Sequence, residues 1–469
     1  MYEEKIDAYF ASSALREDLI QGISRLVGVK SVREEPQPGA PFGPGPRAAL
    51  DEALRLCADW GFETRDYDHY VGLAQLNDKP TQLHILGHLD VVGEGAGWDT
   101  DPYTCVEKDD ILYGRGVSDD KGPVVAALLA MRAVRDLNIP VSKNVTLIMG
   151  TDEESGSQDI AYYYAREPYA PMAFTPDADF PVINIEKGHY HPDFGAQWAP
   201  ETVTPRVSAL QGGFRVNVVP PEARATVLGV TPADLAKLCA GVEERSGAKL
   251  TVTEMEGGVE VHCLGKNAHA AMPDGGINAI QALLEVLARL PLADCPSTKA
   301  VRAMAGLFPF GDTRGKALGI AQSDHSGDLT LNLALITLTG AGFTAKFDAR
   351  VPVCATKENC ADVCEENLGK CGIQVLDARE MTATHVVEAD SPLVKTLLQC
   401  YSDVTGEEDP QPIAIGGGTY VHDIPGGVAF GCDFPGFDPK MHSANEQASV
   451  ENLLKSAKIF ALAIARLCA

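Results

Sequence analysis

Four short apolar runs that each empty into a polar loop constrain this chain more than any other feature. Residues 83–86 run into Gly87-His88-Leu89-Asp90, and residues 145–149 run into a loop holding Asp152, Glu153 and Glu154. Residues 172–174 run into Thr175-Pro176-Asp177, and residues 427–431 lead through a Pro/Gly-rich loop to His442. Runs this short, bounded by turn residues, read as buried strands. Helical spacing falls between them: Leu15, Leu19, Ile20, Ile23 and Leu26; then Val124, Ala127, Leu128 and Met131 behind Pro123. It returns over 393–401 and with Leu453, Leu454, Ala457 and Phe460. Strands alternating with helices predict an α/β domain around a mostly parallel sheet covered on both faces. In such sheets ligands gather outside the carboxyl ends of the strands.

The middle of the chain has another rhythm. Over 343–351, Thr344, Lys346, Asp348 and Arg350 alternate with Ala345, Phe347 and Ala349. That predicts an antiparallel strand with one wet face. Ile280, Leu283, Leu284 and Leu287 mark a helix behind an Asn278 cap. The reading is an outer domain at 1–187 and 385–469, interrupted by an inserted α+β domain with an antiparallel sheet at 188–384. The Pro/Gly-rich stretch 36–46 reads as a loop over the surface or over a site.

Charge narrows the partners. The 469 residues carry a net charge of −26, without the basic footprint of a nucleic-acid or anionic-membrane binder. No run nears the ~20 apolar residues that span a bilayer. The first ten residues hold two adjacent acids and no basic region before an apolar run, so no secretory signal is expected. Twelve cysteines without a CxxC pair read as reduced thiols of a cytoplasmic protein.

The polar loops carry chemistry. His88 and Asp90, Asp119-Asp120 ahead of a helix, Asp152-Glu153-Glu154, Asp177 and His442 occupy five places that the strand-end rule brings to one crevice. Each alone has an ordinary reading: a structural histidine, a helix cap, a solvated acidic turn. Their shared position after strands sets them apart. Two histidines with several carboxylates and no required cysteine suit zinc, manganese or cobalt. Carboxylates packed together repel one another and take up protons unless a cation relieves them. Two divalent ions about 3.5–4 Å apart, bridged by one aspartate, would do so and would activate a water.

In order, the segments GHLDVV, GWDTDPY, LYGRGVSDDKGP, GTDEESGS, FTPDADFPVINIEKG, GKNAHAAMP, IGGGTY and MHSANE resemble the M20 metallopeptidases, and among them the bacterial PepV-type dipeptidases most. The resemblance covers nearly the whole chain and implies a zinc-peptidase-like catalytic domain with an inserted lid. It implies that His88, Asp119 and Asp177 hold one metal ion and that Asp119, Glu154 and His442 hold a second, Asp119 bridging. Zinc is the first choice, with manganese and cobalt as the others. Asp90 would orient the His88 ring, and Glu153 would be the general base. Asp119–Asp120 would be a cis peptide. From the lid, His269 would stabilise the oxyanion, Asn217 would contact substrate, and Arg350 would pair with the substrate's C-terminal carboxylate. The bland reading of Arg350 is a surface salt bridge with Asp348 or a neighbour. Gly416, Gly417, Gly418 and Thr419 would form a backbone wall beside that carboxylate. A lid of roughly 195 residues implies a monomer, with a dimer as the alternative. The implied activity is hydrolysis of dipeptides with a free N-terminus. An N-acyl amino acid deacylase is the near alternative. A non-catalytic metal- or peptide-binding protein is the distant one.

Overall fold

The structure is a computed structural model that describes residues 2–377 and 380–469. It divides into two compact units. The first comprises the residues up to Ile185, His385–Ala414 and Gly418–Ala469, and the second comprises Glu186–Thr384 and Ile415–Gly417. The sequence boundaries assigned 415–417 to the outer domain. The structure returns them to the inserted one, where the Gly416 carbonyl accepts a 2.6 Å hydrogen bond from Arg350.

The first unit is built on a nine-stranded mixed sheet. Its order is Glu63–Tyr67, Val71–Gln75, Asn144–Gly150, Thr81–His88, Met172–Thr175, Gly427–Ala429, Ile183–Glu186 and His385–Val386, with Ile413–Ile415 also pairing Ile183–Glu186. The core is parallel: Thr81–His88 lies between Asn144–Gly150 and Met172–Thr175, with His88 opposite Gly150 and Ile85 opposite Phe174. Gly427–Ala429 adds in parallel, whereas the first two strands pair antiparallel. All seven residues of Asn144–Gly150 are buried, the unbroken pattern of a strand covered on both faces.

Helix Lys121–Asp136 departs from the expected single stripe. Val125, Ala126, Leu129 and Ala130 are buried along with Val124, Ala127, Leu128 and Met131. The reason is its position, packed on Thr81–His88 and also on helices Ser13–Val27 and Val450–Leu467. Burying each large side chain there contributes roughly 1.5–3 kcal/mol, which anchors the helix that Asp119 and Asp120 precede. The Pro/Gly stretch also ends earlier than its composition suggests, because helix Pro44–Asp59 begins inside it. Proline is tolerated in a first turn, where its missing N–H has no partner to lose.

The second unit carries a nine-stranded antiparallel sheet. Its order is Lys249–Met255, Gly258–Leu264, Glu222–Leu228, Arg206–Gly212, Thr330–Thr339, Gly342–Val351, Asp193–Gln197 and Gln374–Asp377, with Gly188–Tyr190 also pairing Gly342–Val351. Helix Ala279–Ala288 is capped as expected, the Asn278 side chain accepting from the Gln281 N–H at 3.1 Å. The wet face expected for Gly342–Val351 is wet only in its first half. Thr344 is exposed and Lys346 half-buried, but Asp348 and Arg350 are buried. They neutralise each other, which is what lets a polar face close over.

Among the described residues no helix is long and apolar enough to cross a membrane. Each of the twelve cysteines is a free thiol.

Candidate metal centre

The parallel core delivers the polar residues to one end of the first unit. His88 is the last residue of Thr81–His88. Asp119 and Asp120 immediately precede helix Lys121–Asp136, and their peptide bond is cis. Glu153 and Glu154 open a short turn after Asn144–Gly150, and Asp177 follows Met172–Thr175. His442 sits in a loop with φ of 59°, a left-handed conformation rare outside glycine. All six candidate residues come together.

Asp119 lies at the middle. One of its oxygens is 2.9 Å from His88 Nε2, and the other is 2.8 Å from His442 Nε2. Asp177 stands 3.4 Å from His88 Nε2, and Glu154 stands 3.1 Å from His442 Nε2. Ligand atoms of His88, Glu153 and Asp177 fall within 4.8 Å of one another, as do those of Asp119, Glu154 and His442.

The electrostatics are those of acids in excess. Burial pushes Glu153 well above the usual carboxylate range, helped by Asp177, Glu154 and Asp119. Burial and Asp119 raise Glu154 to about 7 and also raise Asp177. Burial opposes the charged form of both histidines, but Asp119 and Glu154 raise His442 to about 11 and Asp119 with Asp177 raises His88. Burial would raise Asp119 as well, yet His442 and His88 hold it down. Acids so placed need protons or divalent cations to balance them. The donor set fits such ions. His88 Nε2 is fully buried and, although ringed by carboxylate oxygens, makes no aligned hydrogen bond. That is the orientation of a ligand nitrogen rather than of an ordinary donor.

Asp90 reaches the His88 ring chiefly through its main chain. The His88 Nδ1–H donates to the main-chain carbonyl of Asp90 at 2.9 Å, while the Asp90 carboxylate is 3.5 Å away. That carboxylate accepts from the N–H groups of Glu153 and Glu154 at 3.1 Å each. Asp90 therefore orients the ring through its backbone and the acidic turn through its side chain.

Three further residues escaped the sequence reading. Buried Asp159 accepts from the N–H groups of Thr151 and Asp152 at 2.5 and 3.0 Å, and from the Tyr420 hydroxyl at 2.5 Å. Four successive N–H groups, 151 to 154, thus end on two buried carboxylates. Tyr420 stands edge-on to His88, with ring centres 6.2 Å apart. Gly150 makes room for this pair, since a Cβ there would lie 2.0 Å from the Tyr420 hydroxyl and 2.4 Å from Asp159. Glu446, four residues beyond His442, is wholly buried and accepts from the N–H groups of Gly116, Ser118 and Asp119 at 3.0, 3.0 and 3.2 Å. Its other oxygen takes Arg115 at 2.6 Å. One carboxylate so ties the loop of His442 to the loop of Asp119. An acid following MHSAN was the only local signal, and nothing in sequence pairs residues 327 apart.

The remaining candidates divide. In the second unit, exposed Asn217 and His269 lie beside each other: the Asn217 carbonyl accepts from Ala270 N–H at 2.9 Å, and His269 Nδ1 accepts from Ala271 N–H at 3.2 Å. A Cβ at Gly416 would come within 3.0 Å of Ala271. Arg350 binds Asp348 through Nε at 2.7 Å and Nη2 at 2.8 Å, and its Nη1 meets Gly416 O at 2.6 Å and His189 Nε2 at 2.9 Å. That leaves one of five guanidinium N–H donors for another acceptor. Gly416 and Gly417 belong to the second unit, but Gly418 and Thr419 belong to the first, where the Thr419 side chain caps the turn Tyr420–Asp423.

Comparison with known proteins places these features in a lineage. The model of peptidase family M20/M25/M40 matches residues 84–466. A Bacillus subtilis (strain 168) protein named "Putative dipeptidase YtjP" is 35% identical, covering 96% of this chain and 97% of its own. A Staphylococcus aureus (strain MRSA252) protein named "Putative dipeptidase SAR1836" is 32% identical, covering 100% and 99%. Among solved structures, human carnosine dipeptidase 1 shares the fold at a TM-score of 0.56 and 18% identity, covering 100% and 99%. Aminopeptidase PepT from Bacillus cereus does so at 0.56 and 16%, covering 97% and 99%.

Proposed function

This chain belongs to peptidase family M20/M25/M40, and on that premise we propose that it is a two-metal dipeptidase acting on dipeptides with a free N-terminus. The observation that carries the reading is Asp119, whose two oxygens stand 2.9 and 2.8 Å from the ring nitrogens of His88 and His442. One carboxylate so placed serves two ligand sets. The dipeptide substrate rests on the full-length relatives named as dipeptidases.

His88, Asp119 and Asp177 would hold one divalent cation, and Asp119, Glu154 and His442 the other. When bound, such ions polarise a carbonyl and acidify water. Zinc suits the set first, and manganese and cobalt also fit. The chain's own residues do the rest. Glu153, whose turn is fixed by Asp90, takes the proton of the attacking water and later delivers it to the leaving amine. The acid beside it, Glu154, is spent on metal. His269 donates to the developing oxyanion, a contact worth about 2.7–4 kcal/mol in comparable sites. Asn217 contacts the substrate. The remaining donor of Arg350 and the Gly416–Thr419 backbone receive the C-terminal carboxylate.

The test is a dipeptide with a free amine assayed beside its N-acetylated twin, first on chelated protein and then after adding zinc, manganese or cobalt singly. Metal-restored cleavage of the free dipeptide alone is expected. Cleavage of only the acetylated twin, at its acyl amide, would make the protein a deacylase on the same metal core. Cleavage of neither, with metal bound, would leave a binding protein.

A further inference from the structure

The second unit holds a cavity of about 500 Å³ bounded by helices Pro232–Ser246, Ala279–Ala288 and Pro296–Leu307. Three arginines line it, Arg245, Arg289 and Arg302, against a single carboxylate, Glu285. That carboxylate is shared: one oxygen accepts from Arg245 at 2.5 Å and from Arg289 at 2.6 Å. Arg302 has no carboxylate partner among the described residues. A local excess of positive charge in a chain of net charge −26 is out of keeping with its surroundings. All three guanidinium groups are exposed at the mouth of the groove, where their planar forks match phosphate or carboxylate.

The cavity does not end at the arginines. A second space of about 170 Å³ shares Gln281 and Phe310 with it and continues along Asn278 and Asn332 to Val219. The acid lining that end, Asp274, is already met by Arg314 at 2.7 Å and by the Thr313 hydroxyl at 2.5 Å. The uncompensated charge therefore lies at the arginine end alone. Gln281 is buried on the shared wall, with Phe310 offering an apolar face beside it. Together the volume, the charged end and the mixed wall are those of a small-molecule site.

We infer that this groove binds a small molecule with an oxyanion head, a phosphate or a pair of carboxylates, seated among Arg245, Arg289 and Arg302. Its uncharged body lies along Gln281 and Phe310. The far wall gives the site a consequence. Asn278 donates to Asn332 at 3.0 Å, and Asn332 donates to the Val218 carbonyl at 3.0 Å. Val219 N–H and Ala270 N–H then bond Ala268 O and Asn217 O at 2.9 Å each. The wall of the groove is the ladder that holds Asn217 and His269. A ligand pressing on it changes substrate affinity, a step that rests on the proposed peptidase reading, whereas the binding itself does not.

The experiment is calorimetric titration of the metal-loaded full chain with inorganic phosphate and, separately, with malonate. Saturable binding of one or both is expected, weakened about tenfold or more in Arg302→Ala and further in the R245A/R302A pair. Which probe binds identifies the head group. Lys299→Ala, an exposed cation on the same helix already paired with Asp294, should leave binding unchanged. Equal binding in wild type and R245A/R302A would overturn the site, because the anion would then sit elsewhere, the metal centre included. No saturable binding of either probe would also overturn it. Arg302→Glu, at an exposed position, provides a second variant whose melting curve verifies folding. For the coupling, the KM for dipeptide should shift with the bound probe in wild type and not in Arg302→Ala. Binding without that shift overturns the coupling and leaves the site.

Discussion

The two units each gather a cluster of acids and bases, and they settle the charge in opposite ways. In the first unit, five carboxylates and two histidines converge, counting Asp90 and Glu153 with the ligand candidates. Burial there raises Glu153, Glu154 and Asp177. In the second unit, Asp348 is fully buried and is met by both ends of the Arg350 fork, with His191 2.9 Å away. Burial would raise Asp348, yet His191 and Arg350 hold it below the usual range. A buried acid with a fixed cation is complete, and one among other acids waits for a mobile cation. The first arrangement builds a frame and the second builds a site.

The sharpest way to break this contrast is at Glu153. Glu153→Ala should lower kcat by about 10²–10⁴-fold while metal content stays at the wild-type level, because the base is lost and the ligands are kept. Surviving activity, read in the dipeptide assay with metal analysis alongside, would remove Glu153 from the proton transfer. In the second unit the largest effect falls on stability. Asp348→Ala leaves a buried guanidinium unpaired and should cost roughly 3–5 kcal/mol. Denaturant unfolding followed in that unit measures it, and a loss under about 1 kcal/mol would mean the pair is not closed. Glu446→Gln comes next. Its amide has one acceptor oxygen in place of two and cannot serve both the 116–119 N–H groups and Arg115, so metal binding should weaken about 10–100-fold in chelator competition, with little change in the second unit.

The smallest effect sharpens the comparison by pH. The folded-state pKa of Asp348 is depressed, so its stabilisation is present above the unfolded value of about 3.9 and is lost as pH falls through the folded one. Protection from hydrogen exchange in strand Gly342–Val351, taken relative to the intrinsic rate at each pH, should therefore fall on acidification more in wild type than in Asp348→Asn. Asp159 has the opposite sign. Burial raises it to about 7, so the folded state holds its proton between about pH 4 and 7, and its contribution to stability declines as pH rises across that window.

How far the sequence reaches is visible in particular residues. Asn278 was readable as a cap because a cap and its helix lie three residues apart. The strands that position His88, Glu153 and Asp177 were readable because a short apolar run followed by a polar loop is a local pattern. Family motifs carried the ligand set from there. Asp348 and Arg350 were misread as one wet face, since alternation reports which side a residue faces and not whether that side is later covered.

Local chemistry, then, determined the elements, the order of the polar loops and the types of donor they carry. Only the tertiary structure decided that Glu446 holds the Asp119 loop, that Asp159 and Asp90 together hold residues 151–154, and that 415–417 belongs with Arg350. The physical reason is range. Period, capping and turn preference act over a few residues, whereas a buried carboxylate takes whichever N–H groups the packed chain presents, in the case of Glu446 and Gly116 from 330 residues away.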